Sequence, residues 1–291
     1  MNILIIGAGG QLGNSLARSL HSFQPICLLK HELELGDIKA LEKAFKGYKP
    51  EIVINCAAYT NVDMAEREIE LANNVNHKWL AELVFCCNAY QATLIHFSTD
   101  YVFNGKALKP YKEQDKPDPI NVYGKTKLEG DLHIISNARK FFIFRVSWLY
   151  SYTHKSFFQT MLKLVSKQNI FNVVNDQFGR PTSANHISDF IKHLIDHGLY
   201  KNKFGLYNFS SNGPIISWLD FAQYIFKQAY NMGHISEEPV IKKLGEYEYK
   251  AKRPRYSALS NALIQRIFQF QIQDWRTSTK NEIESFYKVK E

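Results

Sequence analysis

The sequence has no long hydrophobic run and no export signal. No stretch of eighteen or more apolar residues occurs, which excludes a membrane-spanning helix of ordinary length. The first apolar stretch, residues 2–6, follows no basic segment and runs into glycines instead of a cleavage site, so it does not resemble a secretion signal. We therefore expect a cytoplasmic protein with no membrane partner.

Cysteine is scarce, and its placement argues against a disulfide framework or a metal site. The four cysteines are Cys27, Cys56, Cys86 and Cys87. All lie in or beside apolar segments, none has the spacing of a metal-ligand motif, and the adjacent pair is poorly placed to form a disulfide. Buried free thiols are expected, and the sequence identifies no metal ligands.

Acidic residues are outnumbered by basic ones, which gives a formal net charge of +8. An excess of Lys and Arg favours polyphosphate partners. The basic residues are dispersed, however, and the densest cluster, residues 250–255, accompanies no helix-turn-helix, zinc or aromatic RNA-binding motif. We therefore expect no nucleic-acid partner.

The chain has ample material for a core, since 45% of its 291 residues are apolar and 14% are aromatic. Hydrophobic runs and periodicity predict strands at 2–6, 26–29, 52–56, 93–97 and 141–146, and helices near 11–21, 38–47, 66–89 and 122–138. This alternation predicts an α/β fold, a doubly wound parallel sheet of Rossmann type with helices on both faces.

The pattern changes after residue 149. Helix-like stretches at 156–167 and 186–197 are mixed with extended segments at 169–174 and 205–209. We predict a dinucleotide-binding domain over 1–149 and a smaller, interleaved substrate-binding region over 150–291. The strand at 205–209 either belongs to that region or returns to the main sheet. The cleft between the two is the expected ligand site.

A glycine turn joins the first strand to the first helix. Gly7, Gly10 and Gly13 stand in a G-x-x-G-x-x-G pattern, with Gln11 and Leu12 between the last two. Such glycines allow a tight turn and a close approach to a pyrophosphate, while the helix start offers unpaired N–H groups to an anion. A structural turn is the alternative, but the position after a strand favours a dinucleotide site.

Tyr123 and Lys127 stand four positions apart, on one face of a predicted helix. A tyrosine is a poor acid or base at neutrality unless a positive charge stabilises its phenolate, and Lys127 is a candidate for that charge. Ser98 and Thr99 end a predicted strand, where a hydroxyl faces the ligand crevice of an open sheet. A chance helix pair and a turn-capping hydroxyl are the alternatives.

The glycine spacing and the Tyr123-x-x-x-Lys127 pair together resemble the extended short-chain dehydrogenase/reductase superfamily. The chain is similar in particular to the dTDP-4-dehydrorhamnose reductase family. The similar segments, from residue 1 to about 260, fall in one order at 10–13, 55–60, 62–66, 98–103, 145–148 and 175–182. Several motifs in one order are far more specific than any one of them.

The resemblance implies the roles of the catalytic residues. Tyr123 donates a proton to the ketone oxygen, Thr99 hydrogen-bonds that oxygen, and Lys127 lowers the pKa of Tyr123 and binds the nicotinamide ribose. Thr99 is preferred to Ser98 because it precedes Tyr123 by 24 residues, as in the family.

The cofactor implied by the resemblance is NADPH or NADH. The expected cofactor-binding residues are Gly7, Gly10, Gln11, Leu12, Gly13, Lys30, His31, Asp37, Ile38, Ala58, Tyr59, Thr60, Tyr123 and Lys127. The basic Lys30-His31 pair after the second strand favours the 2′-phosphate of NADPH. Glu32 and Glu34 nearby leave NADH as the alternative.

The substrate implied by the resemblance is a dTDP-linked 6-deoxy-4-keto-sugar. The expected substrate-binding residues are Thr99, Asp100, Trp148, Gln177 and Arg253. Trp148 as plain core and Arg253 as part of a solvated basic loop are the alternatives. Some family members use Mg²⁺, yet Ser15 stands where an acidic residue would help bind it. The resemblance also leaves a homodimer open.

Two rival functions stay open from the sequence. One is another sugar-nucleotide reductase or an epimerase on the same scaffold. The other is a non-catalytic, regulatory binding subunit with the same fold. The presence of Thr99, Tyr123 and Lys127 argues against the second.

Overall fold

The fold is known from a computed structural model that describes residues 1–165, 167–244 and 250–289. The predicted stretch 156–167 and the predicted region 150–291 each include residues outside this part. The strands are β1 (Ile3–Ile6), β2 (Ile26–Leu28), β3 (Ile52–Asn55), β4 (Thr93–Thr99), β5 (Phe141–Val146), β6 (Leu149–Tyr150), β7 (Ile170–Val173), β8 (Phe178–Gly179), β9 (Thr182–Ser183), β10 (Gly205–Phe209), β11 (Ile216–Ser217) and β12 (Val240–Lys243). The helices are α1 (Gln11–Ser19), α2 (Ile38–Tyr48), α3 (Val62–Ala65), α4 (Ile69–Asn73), α5 (Trp79–Ala89), α6 (Val122–Asn137), α7 (Phe157–Leu164), α8 (Ala184–Asp196), α9 (Trp218–Asn231), α10 (Ala262–Phe268) and α11 (Trp275–Lys288).

Six strands form one parallel sheet in the order β10-β5-β4-β3-β1-β2. The strand order reverses between β1 and β3, and ligands of open α/β sheets bind at such a switch point, beyond the carboxyl ends of the strands. β10 pairs with β5, so the segment 205–209 lies in the main sheet. The predicted α/β, Rossmann-like fold is confirmed.

The two faces of the sheet are buried by different helices. In β1, Ile3 and Ile5 pack with residues of α1, α8 and α10, whereas Leu4 and Ile6 pack with residues of α2, α5 and α6. Alternate side chains of a strand point to opposite faces, so a strand that is apolar at every position needs cover on both sides. This explains why the first strand reads as a continuous apolar run.

The single helix predicted near 66–89 is wrong in detail. The segment consists of α4, a π-helical turn at Asn74–Lys78 and α5. The turn carries Asn76, whose side chain accepts a hydrogen bond from the Tyr59 backbone N–H and donates to the Tyr59 carbonyl and the Thr126 hydroxyl. Through these hydrogen bonds, the π-helical turn between α4 and α5 is attached to the segment after β3.

The residues after β5 build a further core of their own. Side chains of α7, α9 and α11 pack there with β7, and short strands pair as β6 with β9, β8 with β11, and β7 with β12. α8 and α10 instead cover the main sheet, so the later half of the chain interleaves with the first. The domain limits at 149 and 150 stay a prediction. No helix in the described ranges combines the length and apolarity needed to cross a bilayer.

Gly13 is expected to be intolerant of a side chain. A Cβ at this position would lie 2.3 Å from the Gly7 carbonyl oxygen, so Gly13→Ala must push α1 away from the glycine turn. We expect a loss of about 1–3 kcal/mol in the free energy of unfolding, as for other overpacked sites. Urea denaturation measures it.

Gly47→Ala is the matched control. Gly47 is exposed within α2, and a Cβ there meets nothing within 4 Å. Alanine in a helix is favoured over glycine by about 0.5–1 kcal/mol, so this variant should be slightly more stable than the natural chain. Equal effects of the two substitutions would contradict the close approach of α1 to the glycine turn.

Candidate active site

A cleft of about 490 Å³ opens beyond the carboxyl ends of the main-sheet strands. The predicted site residues that line it are Gly10, Gln11, Leu12, Ala58, Thr60, Thr99, Asp100, Tyr123, Lys127 and Trp148. They come from segments more than 100 residues apart in the chain, and the parallel sheet brings them together because the ends of its strands share one edge.

The glycine turn forms one wall of the cleft. Gly7 has a φ of +75°, and a Cβ there would lie 2.8 Å from the Ala57 nitrogen, so the turns after β1 and β3 touch through bare backbone. α1 begins after Gly10, which offers no side-chain cap, and the first N–H groups of the helix lack partners within it. The turn therefore fits a pyrophosphate.

The segment after β2 lies beside this turn. The backbone N–H groups of Gly7 and Ala8 both donate to the Leu28 carbonyl, so the end of β2 lies against the glycine turn that forms one wall of the cleft. Lys30 and His31 follow and are exposed. Glu32 turns back and accepts a hydrogen bond of 2.8 Å from the Leu29 N–H. Because Glu32 is engaged in this turn, the basic pair is better placed than the acid to meet a ligand.

The remaining predicted cofactor residues divide into lining and supporting positions. Asp37 caps α2 by accepting a hydrogen bond of 3.0 Å from the Ala40 N–H, and Ile38 beside it is exposed. Tyr59 turns its hydroxyl to Glu68, to which it donates at 2.6 Å. Tyr59 and Asp37 therefore use their side chains in local structure, whereas Ala58 and Thr60 line the cleft.

Thr99 and Tyr123 meet in the cleft. Thr99 ends β4, is buried, and accepts a hydrogen bond of 3.1 Å from the Tyr101 N–H, so it caps the short 3₁₀ turn Asp100–Val102. Tyr123 lines the same cleft, close enough for the Thr99 side chain to lower the pKa of the phenol. Thr99 is therefore a turn-capping hydroxyl, as the alternative interpretation of the sequence proposed. It lines the same cleft as Tyr123 nevertheless.

A close approach fixes Tyr123 near Thr99. Tyr123 is the second residue of α6, whose N-cap Asn121 accepts a hydrogen bond of 2.7 Å from the Gly124 N–H. A Cβ at Gly124 would lie 2.2 Å from the Tyr101 carbonyl oxygen. The start of α6 therefore rests directly on the turn after β4, and only glycine permits this.

The pKa of Tyr123 lies above its ordinary value. Burial is the main cause, the Thr99 hydrogen bond acts in the opposite direction, and the charge of Asp100 raises the pKa further. Lys127 is not among the causes of this shift, so the expectation that it lowers the pKa of Tyr123 stays a prediction. Tyr123 is therefore protonated at neutral pH, which is the state that a proton donor needs.

Lys127 is only 1% exposed and points into a polar cluster. Its Nζ donates to the Phe97 carbonyl at 2.7 Å and lies 3.0 Å from His96 Nε2. Burial lowers the pKa of Lys127 to about 8, against an opposing effect of Asp131. The ammonium is thus held at the inner side of the cleft that Lys127 lines, one helical turn beyond Tyr123.

Sequence reasoning missed the residues that hold Lys127. Asp131 stands one turn further along α6, is fully buried, accepts a hydrogen bond of 2.6 Å from Ser98 and lies 3.7 Å from Arg145 Nε. Asn55 Nδ2 lies 3.0 Å from His96 Nδ1. The i,i+4 spacing of Lys127 and Asp131 was a visible signal, but nothing in the sequence indicated that α6 turns this face inward.

The predicted substrate residues fall in two neighbouring cavities. Asp100 is buried, burial raises its pKa to about 7, and it lies with Trp148 in the main cleft. Gln177 and Arg253 instead line a second cavity of about 520 Å³. Arg253 pairs there with Asp63 at 2.8 Å, so it is anchored rather than part of a freely solvated loop.

The chain does not fit the divalent cation considered from the sequence. Ser15 is buried, and its hydroxyl accepts a hydrogen bond from the Arg18 guanidinium, which also donates to Asn185. A guanidinium at this position repels a cation. Within the described ranges, no three His, Cys, Asp or Glu side chains gather as a metal site would require.

Comparison with known proteins agrees with this geometry. The family model described as RmlD substrate binding domain matches residues 1–288. A dTDP-4-dehydrorhamnose reductase of Aggregatibacter actinomycetemcomitans is 35% identical over 286 residues, which cover 96% of this chain and 97% of that protein. The chain belongs to the dTDP-4-dehydrorhamnose reductase family. The resemblance found in the sequence motifs is confirmed.

Solved structures of dTDP-4-dehydrorhamnose reductases share the fold over its whole length. One from Clostridium acetobutylicum has a TM-score of 0.89 and 33% identity, covering 99% of this chain and 100% of that one. Another, from Bacillus anthracis in complex with NADP, has a TM-score of 0.90 and 30% identity, covering 98% and 99%. The agreement extends beyond the main sheet to the region after β5.

Proposed function

We propose that this chain reduces the C4 ketone of dTDP-4-dehydro-L-rhamnose to the alcohol of dTDP-L-rhamnose, with NADPH as the hydride donor. Such a product serves the synthesis of cell-surface polysaccharide. One observation carries the proposal: Thr99, Tyr123 and Lys127 share a single cleft with the glycine turn. Family membership supports the choice of nucleotide and sugar.

In the proposed mechanism, the bound nicotinamide supplies the hydride that forms the new C–H bond at C4. Tyr123 gives its hydroxyl proton to the ketone oxygen as the C=O π bond breaks. Thr99 donates a hydrogen bond to the same oxygen and stabilises its growing negative charge. Lys127 offsets the charge left on the Tyr123 phenolate, which solvent reprotonates. Net uptake is one hydride and one proton.

In this proposal the cofactor binds against the glycine turn after β1 and the segment after β2. The glycine turn and the N-terminus of α1 hold the pyrophosphate, and Lys30 and His31 meet the 2′-phosphate of NADPH. The structure in complex with NADP from Bacillus anthracis supports NADPH, and NADH is the alternative. In this proposal Lys127 binds the nicotinamide ribose. A homodimer and a cytoplasmic location stay predictions.

We expect Lys30→Glu to reverse the cofactor preference. The substitution removes a cation for the 2′-phosphate and adds a carboxylate for the ribose diol of NADH, so the ratio of NADPH to NADH affinity should fall by at least about tenfold. Fluorescence titration of both cofactors measures the ratio. Lys43→Glu makes the same charge change at an exposed site in α2 and should leave it unaltered. Tighter binding of NADH by the natural chain would overturn the preference.

The pH dependence of kcat/KM for NADPH should report Lys127. The pKa of this group is lowered to about 8, so its positive charge is lost as the pH rises through about 8 instead of above 10. We expect kcat/KM to fall over that interval, since the charge serves both ribose binding and the Tyr123 phenolate. An unchanged kcat/KM up to about pH 9 would contradict this role.

Product analysis with a panel of keto-sugars tests the proposal against its rivals. dTDP-4-dehydro-L-rhamnose, a GDP-linked and a UDP-linked 4-keto-sugar are each incubated with NADPH, and the products are separated and identified. We expect a reduced sugar chiefly from the dTDP-linked substrate. Preference for another nucleotide, or epimerisation without net cofactor oxidation, would favour a different sugar-nucleotide enzyme. Absence of turnover on every substrate would favour the regulatory subunit.

A further inference from the structure

Two tryptophans stack on each other inside the cleft. The rings of Trp148 and Trp218 lie 3.7 Å apart between centroids, and their planes differ by 5°. Trp148 follows β5 and Trp218 is the first residue of α9, so the pair joins the main sheet to the core of the later region. The family resemblance implies a contact between Trp148 and substrate but gives Trp218 no role.

Trp218 also stands at the border between the two cavities. Together with Phe157, whose ring centroid lies 4.7 Å away, it lines both the cleft of Tyr123 and the second cavity of Gln177 and Arg253. These two aromatic rings therefore form a partition. A ligand that occupies both cavities at once has to pass it.

A nucleotide-sugar is such a ligand. Its keto-sugar must reach Tyr123 in the first cavity. Its negatively charged diphosphate can pair with the guanidinium of Arg253 in the second cavity, although the carboxylate of Asp63 also lies in that cavity. The sugar and the nucleotide are covalently joined. Under the proposed function, on which this step rests, the stacked arrangement cannot persist when substrate is bound.

The surroundings indicate which of the two rings moves. Trp148 is 9% exposed, has a φ of +47°, and lies so close to β8 that a Cβ at Gly179 would be 2.6 Å from its indole. Trp218 is less buried. Its backbone is fixed by the Ser217–Asp220 capping box of α9, so a change of rotamer alone can swing its indole away.

We propose that Trp218 is a substrate-binding residue that leaves Trp148 when a nucleotide-sugar enters, and then packs against the ligand where sugar and nucleotide join. The vacated face of Trp148 is then available to the sugar ring. In the free chain, the stacked indoles shield each other's apolar surface from water. When the ligand binds, its own surface shields the two indoles instead.

Circular dichroism tests this directly, because two stacked indoles give an exciton couplet in the far ultraviolet. The natural chain should show the couplet, and Trp218→Phe should lose it without a change in the thermal midpoint. Trp79→Phe is the control, since Trp79 lies in the core on one face of the main sheet, and it should keep the couplet. Saturating dTDP-L-rhamnose should abolish the couplet in the natural chain, whereas NADPH alone should leave it.

Kinetics and calorimetry complete the test. Trp218→Ala should raise KM for the sugar nucleotide about fivefold to tenfold with kcat nearly unchanged, and Trp218→Phe should restore most of the affinity. If calorimetry shows that dTDP-L-rhamnose binds while the couplet persists, the inference is overturned. If no dTDP-sugar binds at all, the proposed function fails, and this inference with it.

Discussion

Tyr123→Phe is expected to lower kcat by about 10²–10⁴-fold while NADPH affinity stays within about twofold. The substitution removes only the hydroxyl that meets Thr99 in the cleft. The ring remains beside Tyr101, whose centroid lies 5.9 Å away, so the wall of the cleft keeps its shape. Without the hydroxyl, the ketone oxygen has no positioned proton donor, and the barrier to reduction rises. Steady-state turnover and a fluorescence titration with NADPH measure the two quantities separately.

Tyr101→Phe is the matched control for this variant. Tyr101 lines the same cleft and loses the same atom, but the proposed mechanism gives its hydroxyl no role. We expect kcat of Tyr101→Phe within a fewfold of the natural value. Unchanged turnover in Tyr123→Phe, or equal losses in both variants, would end the assignment of Tyr123 as the acid.

Lys127→Met is expected to impair both turnover and cofactor binding, and this pattern separates it from Tyr123→Phe. Methionine fills a similar volume without charge, so the phenolate left after proton transfer loses its neighbouring cation. The hydrogen bonds from Nζ toward Phe97 and His96 disappear as well. We expect kcat to fall by about 10²–10³-fold and NADPH affinity by about tenfold.

Lys125→Met provides the control, because Lys125 lies two residues earlier on α6 and is exposed. It should leave kcat and NADPH affinity unaltered. Thermal unfolding of Lys127→Met must be measured alongside, since Asp131 is buried and loses one of its two cationic neighbours among the described residues, Lys127 and Arg145. A folded variant with natural NADPH affinity would contradict the proposed contact with the nicotinamide ribose.

The sequence predicted a structural feature best where all the residues that determine it lie in one short segment. The apolar run before Gly7 predicted a doubly covered strand, and the spacing of the glycines predicted the turn that now lines the cleft. The Tyr123–Lys127 spacing predicted one helix face, and the sheet placed Thr99 beside it. Each of these inferences depends on neighbours in the chain or on the shared edge of parallel strands.

Other features depended on contacts that a sequence pattern does not encode. Trp148 and Trp218 are 70 positions apart, and no periodicity relates them. Burial of Asp131 required knowing which face of α6 packs inward. The pKa direction of Tyr123 was also unpredictable, because it follows from the depth of burial, whereas the sequence displayed only the nearby lysine. Packing across long sequence separations decided all three.

Isotope transfer tests the central claim most directly. The chain is incubated with dTDP-4-dehydro-L-rhamnose and NADPH that carries deuterium at the transferable position of nicotinamide C4, and the product is examined by NMR and mass spectrometry. We predict dTDP-L-rhamnose with one deuterium at sugar C4 and one equivalent of NADP⁺. Deuterium at another carbon, or a product formed without cofactor oxidation, would contradict the account.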